Sequence, residues 1–144
     1  MNTIRRNSRS DSHEAARNVL VIGGDRFGLA VAEYLTESAR SVTFVTETAP
    51  TDVADGVKSI HRELSGVNDV RALASEIADV GLVVVIGADS ESLLLGYLIR
   101  RELDPREVVA GVSNPANGSA FEEADVDHID LPRLLAEQIR DRYE

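Results

Sequence analysis

Six consecutive residues have the types and spacing to hold a phosphate: Gly23-Gly24-Asp25-Arg26-Phe27-Gly28. A G-x-G-x-x-G loop between a strand and a helix offers an anion unpaired backbone N–H groups and the positive end of the helix dipole. Each glycine has its own task. The first permits a tight turn, the second lets the backbone approach a pyrophosphate, and the third lets the helix pack closely on the strand. Here Gly23 and Gly28 hold the outer places and Asp25 holds the middle one. Asp25 has two readings. As a helix N-cap, its carboxylate would accept first-turn N–H groups, worth about 1 kcal/mol, and would stand in for the ligand. Arg26 pulls the other way, because its guanidinium could hold a phosphate by paired hydrogen bonds. These residues alone leave nucleotide binding open.

The acid that grips a ribose is expected about 20 residues beyond such a loop, at the end of the next strand. That position falls on Thr46, with Glu47 after it. Thr46 can donate one hydrogen bond but cannot grip two hydroxyls. Glu47 substitutes if the strand ends differently, and a plain solvent-facing strand end is the alternative. Farther on, Gly87-Ala88-Asp89-Ser90 follows an apolar run. Asp89 and Ser90 suit a helix cap, a ligand contact, or both.

No catalytic or metal set stands out. His13, His61 and His128 have no carboxylate or histidine beside them at metal-ligand spacing. Ser90, Ser92 and Ser113 lack a nucleophile-elbow context. Asn117-Gly118-Ser119 fits a glycosylation sequon but reads as a turn and helix start. The absence of cysteine removes disulfides, thiolate metal sites and cysteine nucleophiles together.

The elements that must position these residues alternate along the chain. Strands are expected at Asn18–Ile22, Ser41–Val45, Lys58–Arg62, Leu82–Ile86, Glu107–Gly111 and His128–Asp130. Helices are expected at Arg26–Ser38, Asp69–Ile77, Ser90–Glu102, Ser119–Ala124 and Leu131–Arg142. Thr51–Asp55 suggests at most a short helical turn. Leu82-Val-Val-Val-Ile86 is apolar on both faces, as a central parallel strand should be. The alternation implies an α/β fold: a Rossmann-type, doubly wound, mostly parallel six-stranded sheet of order 3-2-1-4-5-6, with helices on both faces. Ligands then sit where the strand order reverses, at the carboxyl ends of the first and fourth strands. Both ends carry glycines. The Leu93–Ile99 stretch is apolar nearly all round, which predicts that part of it lies in a homodimer interface.

At 144 residues the chain is expected to be one domain, residues 18–144, behind a disordered polar tail, residues 1–17. That tail nets +2, from Arg5, Arg6, Arg9 and Arg17 against Asp11 and Glu14, so the rest carries −12 of the total −10. An acidic surface whose sole lysine is Lys58 repels nucleic acid and anionic membranes. It also suits a protein that stays soluble in high salt. No run approaches the roughly 18 apolar residues of a membrane span, and the tail lacks the apolar stretch of a signal peptide, so a cytoplasmic location is expected.

Several segments together resemble a known family, the N-terminal nucleotide-binding domain of regulators of potassium conductance (TrkA-N or RCK N-terminal domain). The likeness spans about residues 18–140. It rests on Val-Ile-Gly-Gly-Asp-Arg-Phe-Gly, on Val83-Val-Val-Ile-Gly-Ala-Asp89 with its Leu-rich helix, and on Gly111-Val-Ser-Asn-Pro115. It also rests on Glu122-Glu-Ala-Asp-Val-Asp127 with Leu131-Pro132. The resemblance implies a cytosolic homodimer that binds NAD(H) or an adenine nucleotide (ATP or ADP), does no chemistry on it, and signals to a membrane potassium channel or transporter. By position, Gly23, Gly24 and Gly28 would form the phosphate loop, with Arg26 near phosphate. Thr46 and Glu47 would stand at the ribose, and Ala88 and Asp89 would line the pocket. Asp25 and Thr46 depart from the pattern, at the middle glycine and the ribose acid. Many members also append a ligand-sensing domain, for which these 144 residues leave no room. Two other classes compete: a degenerate Rossmann module acting by dimerisation or protein binding, and a small NAD-dependent oxidoreductase. The last lacks a substrate domain and a placed acid–base group.

Overall fold

A computed structural model describes residues 17–48, 52–77 and 79–144. Its strands are β1 (Asn18–Gly23), β2 (Ser41–Thr46), β3 (Val57–His61), β4 (Leu82–Ile86), β5 (Glu107–Val112) and β6 (Asp127–Asp130). Its helices are α1 (Asp25–Leu35), α2 (Val67–Glu76), α3 (Asp89–Glu102), α4 (Gly118–Glu123) and α5 (Leu131–Tyr143), with a 3₁₀ turn at Pro115–Asn117. The strands form one sheet in the order β3-β2-β1-β4-β5-β6, and every pairing is parallel. This is the doubly wound arrangement that the alternation predicts.

Branched residues at the centre are buried from both sides. Val21, Val45 and Val83 are fully buried. Val19, Val21, Val42 and Phe44 meet Ala32 of α1 on one face. Leu20, Ile22, Val83 and Val85 meet Val70 and Leu73 of α2 and Ile99 of α3 on the other. Each such side chain contributes about 1.5–3 kcal/mol by leaving water. The exception is α5, which buries no residue. Leu134, Leu135, Ile139 and Tyr143 lie uncovered along it. Among the described residues no helix is long and apolar enough to cross a membrane.

Three expectations change. The helix after β1 stops at Leu35 rather than Ser38, because Thr36, Glu37 and Ser38 donate their N–H groups to Glu33, Tyr34 and Leu35, a tighter turn. Arg17 belongs to the fold and not to the tail. Its carbonyl accepts from the Arg40 N–H at 2.7 Å, and its guanidinium pairs with Glu107. The rest of the expected tail, residues 1–16, lies outside the described residues. So does Thr51 of the expected turn, and residues 52–55 form no helix.

The non-glycine residues at positive φ among those described are all aspartates: Asp25, Asp52, Asp79, Asp104 and Asp125. Aspartate tolerates the left-handed region better than most side chains. The chain's acidity is thus partly spent on turns, where glycine or asparagine is usual.

Candidate functional site

The strand order reverses between β1 and β4, and a crevice of about 550 Å³ opens there. That is within the range of ordinary ligand sites. Gly23, Gly24 and Asp25 line it from the β1–α1 turn, and Thr46 and Glu47 from the end of β2. Residues 62–65 close the side beyond β3. Gly87 lies after β4, and Glu91, Ser92, Leu94, Leu95 and Leu98 project from α3.

The turn needs its glycines for internal reasons. Gly23 and Gly24 have φ of +87° and +80°. A Cβ on Gly28 would lie 1.8 Å from the Gly23 carbonyl oxygen, so α1 packs on its own turn as the third glycine of the pattern allows. The N-cap is Gly24, one residue before the expected position. The capping role expected of Asp25 is therefore not found. Asp25 is instead the first helical residue, exposed, at φ +47°. Among the described residues no side chain caps the first turn of α1, which leaves its leading N–H groups open to an anion. Arg26 and Phe27 are exposed and do not line the crevice.

At the end of β2, Thr46 is nearly buried, at 3% exposure, and its hydroxyl accepts from the Thr48 N–H at 3.1 Å. A hydroxyl that accepts once can still donate. Glu47 is exposed. Its carboxylate accepts from the Leu64 N–H at 3.3 Å, and its carbonyl lies 2.9 Å from His61 Nε2, so it ties β2 to the loop after β3.

Asp89 and Ala88 do not line the crevice, contrary to expectation. Nor does Asp89 cap α3, whose N-cap is Ala88. Its carboxylate points to the loop after β5. It accepts from the Ser113 N–H at 2.9 Å, the Asn114 N–H at 2.9 Å and Asn117 Nδ2 at 2.8 Å. The Ser113 N–H foremost, then those of Asn114 and Asn117, hold the Asp89 carboxyl below the usual carboxylate range against a smaller opposing effect of burial. Asp69 is held low in the same way, chiefly by the Ser65 N–H and then its hydroxyl.

Several lining residues were not singled out from the sequence as ligand contacts. Glu91, Leu94, Leu95 and Leu98 are spaced i, i+3, i+4, i+7 on α3, so one helix face forms a crevice wall. The same spacing reads equally well as core or interface. Arg62 reaches the crevice from beyond β3 and pairs with Glu76. Among the described residues, the lining thus sets Asp25, Glu47, Glu63 and Glu91 against a single cation, Arg62.

The crevice fits a nucleotide in size, in its open helix N-terminus and in an unpaired buried hydroxyl on Ser92. A model of the TrkA-N domain matches residues 19–132. A Trk system potassium uptake protein TrkA homolog from Methanothermobacter thermautotrophicus is 28% identical over 121 residues, covering 82% of this chain and 56% of the relative. The chain therefore spans about half the length of that curated relative. The TrkA-N domain of inner membrane protein ybaL from Escherichia coli shares the fold at TM-score 0.72 and 14% identity, covering 91% of this chain and 99% of that one. The GsuK channel bound to NAD matches at TM-score 0.66 and 18% identity, covering 85% of this chain and 23% of that one. GsuK has also been solved bound to ADP.

Proposed function

From the chain's membership of the TrkA-N domain family, we propose that it is a non-catalytic, cytoplasmic regulatory subunit of a potassium channel or transporter. It binds NAD(H) or an adenine nucleotide (ATP or ADP) in the crevice between β1 and β4. It acts as a homodimer. The observation that carries this reading is the crevice itself: in a TrkA-N chain, a ligand-sized space meets the uncapped first turn of α1 at the strand reversal. The naming of one relative as a potassium uptake protein, and of another as a channel bound to NAD, supports the assignment.

Gly23, Gly24 and the first turn of α1 hold the phosphates, and Thr46 and Glu47 meet the adenosine ribose. The described lining has no histidine, lysine or cysteine, which suits binding without turnover. A ligand changes the dimer only through unequal affinity for two of its shapes. Leu94 and Tyr97 on α3 and the uncovered stripe of α5 offer apolar surface for association. Light scattering at micromolar concentration should give twice the 15.6 kDa chain mass, and a monomer would refute the dimer.

Melting curves with NAD⁺, NADH, ATP and ADP test the ligand reading. A ligand at a hundred times its Kd adds about 2.7 kcal/mol of stability. A shift without consumption of the nucleotide is expected. Asp25 favours a second reading, a module that has given up its ligand, because its carboxylate sits at the crevice where the pattern has glycine. If wild type does not shift but Asp25→Gly does, that second reading stands.

A further inference from the structure

We propose that Glu47 and Asp69 are positioning residues: they hold residues 62–65 as the outer wall of the crevice, and nucleotide affinity depends on that wall keeping its place. This rests on the nucleotide reading above and adds which residues shape the site without all touching the ligand.

The wall needs holding because of where it lies. β3 is an edge strand, so the residues after it have a strand neighbour on one side only. Arg62, Glu63, Leu64 and Ser65 all line the crevice. Leu64 is the one apolar residue of the four, and it is half-buried against the core. A segment with so little apolar contact opens easily.

Polar bonds hold it instead. The Arg62 N–H donates to the Thr46 carbonyl at 2.9 Å, and its guanidinium pairs with Glu76. Its buried Nε has no partner among the described residues, so that side chain is held at its tip alone. The Leu64 N–H donates to Glu47 Oε2 at 3.3 Å, from the end of β2. The Ser65 N–H and hydroxyl each donate to Asp69 Oδ2 at 2.9 Å, from the first turn of α2. Two adjacent residues of the wall therefore hang on two carboxylates from different elements. Between the wall and α2 stands Gly66, an N-cap with no side chain to brace either.

The two carboxylates differ in what else they reach. Glu47 lines the crevice, and with Oε2 on Leu64 its Oε1 is left for a ribose hydroxyl. Asp69 does not line the crevice. Loss of its negative charge would by itself favour an anionic ligand. A weaker affinity on its removal therefore has only the wall to come from.

Amide hydrogen exchange and titration calorimetry on the full chain test this, with Glu47→Ala, Asp69→Ala and Asp69→Asn. In Asp69→Ala the Leu64 N–H, which Asp69 does not touch, should exchange about three- to tenfold faster, and in Glu47→Ala the Ser65 N–H likewise. Val83 and Val85 in the core should keep their wild-type rates. Asp69→Ala should bind ADP and NAD⁺ each about fivefold more weakly, as if the wall stood in place about a fifth of the time. Asp69→Asn keeps an oxygen for the Ser65 N–H and should recover to within about twofold of wild type. A lower Tm with both affinities unchanged would show a merely structural role and overturns the proposal. So does a Leu64 exchange rate that Asp69→Ala leaves unmoved. Either result leaves the nucleotide reading standing. Silence of the wild type toward both nucleotides overturns the two together.

Discussion

Replacing Asp89 with asparagine keeps the size of the side chain and changes what it can accept. In the wild type, Oδ1 takes the Ser113 N–H, while Oδ2 takes the Asn114 N–H and Asn117 Nδ2. An asparagine can offer its single oxygen to one side only, and its amide then faces a donor on the other. One charge-assisted bond is lost and two become neutral. Such bonds contribute about 1.5–3 kcal/mol when charged and 0.5–1.5 when neutral. With an allowance for solvent at this half-buried carboxylate, Asp89→Asn should cost about 2–3 kcal/mol at pH 7. At about 4 °C per kcal/mol, Tm falls about 8–12 °C. The pH dependence has a definite sign. The folded carboxyl is held below its ordinary value, so its contribution is present above the unfolded pKa near 3.9 and lost as pH falls through the lower folded value. The gap between wild type and variant, followed by urea unfolding from pH 7 to pH 3, should therefore close only below about pH 4. Nucleotide affinity should not change, since Asp89 does not line the crevice. A variant within about 0.5 kcal/mol of wild type would refute the brace. So would a variant of full stability that had lost its ligand.

Gly28→Ala should prevent folding or cost more than about 3 kcal/mol, because its Cβ meets the rigid Gly23 carbonyl at 1.8 Å; a normal urea midpoint would contradict the packing described. Asp104→Gly should stabilise by about 0.5–1 kcal/mol, since φ is +50° just beyond the end of α3, and an unchanged or lower Tm counts against strain there. Tm should rise steadily with added KCl into the molar range, as counterions screen a net charge of −10; a flat or falling series would exclude salt adaptation.

The inner strands were legible because their residues are apolar and branched, which those of β3 and β6 mostly are not. Leu82–Ile86 is apolar at every position, short, valine-rich and flanked by glycines, as a doubly covered central strand is. Helix ends were less so. Asp25 and Asp89 were each read as candidate caps, yet α1 and α3 begin one residue earlier than expected, and Gly24 and Ala88 are their caps. Neither Gly24 nor Ala88 has a side chain that can accept an N–H, so side-chain cap preferences do not mark these helix starts. The crevice was legible where the ends of the first two strands form it, at Gly23, Gly24, Thr46 and Glu47. It was not legible where distant segments meet. Arg62 and Glu91 belong to it only because the crossovers bring the end of β3 and the start of α3 to the same edge of the sheet. Asp89 shows the reverse: its neighbours in sequence suggested a ligand, and its partners lie more than twenty residues onward in the β5 loop.

The glycine turn has a consequence for how such patterns age. A Cβ on Gly23 would strike the Ile86 carbonyl at 2.3 Å, one on Gly24 would strike the Ile86 side chain at 2.6 Å, and Gly28 is fixed by Gly23. Selection for folding alone would therefore hold all three glycines in place, whether or not a nucleotide is ever met. The middle position, occupied here by Asp25, is held by its backbone instead: at φ +47° folding favours glycine, asparagine or aspartate there. In a chain of this kind the glycines report the fold, and do not by themselves report a bound nucleotide.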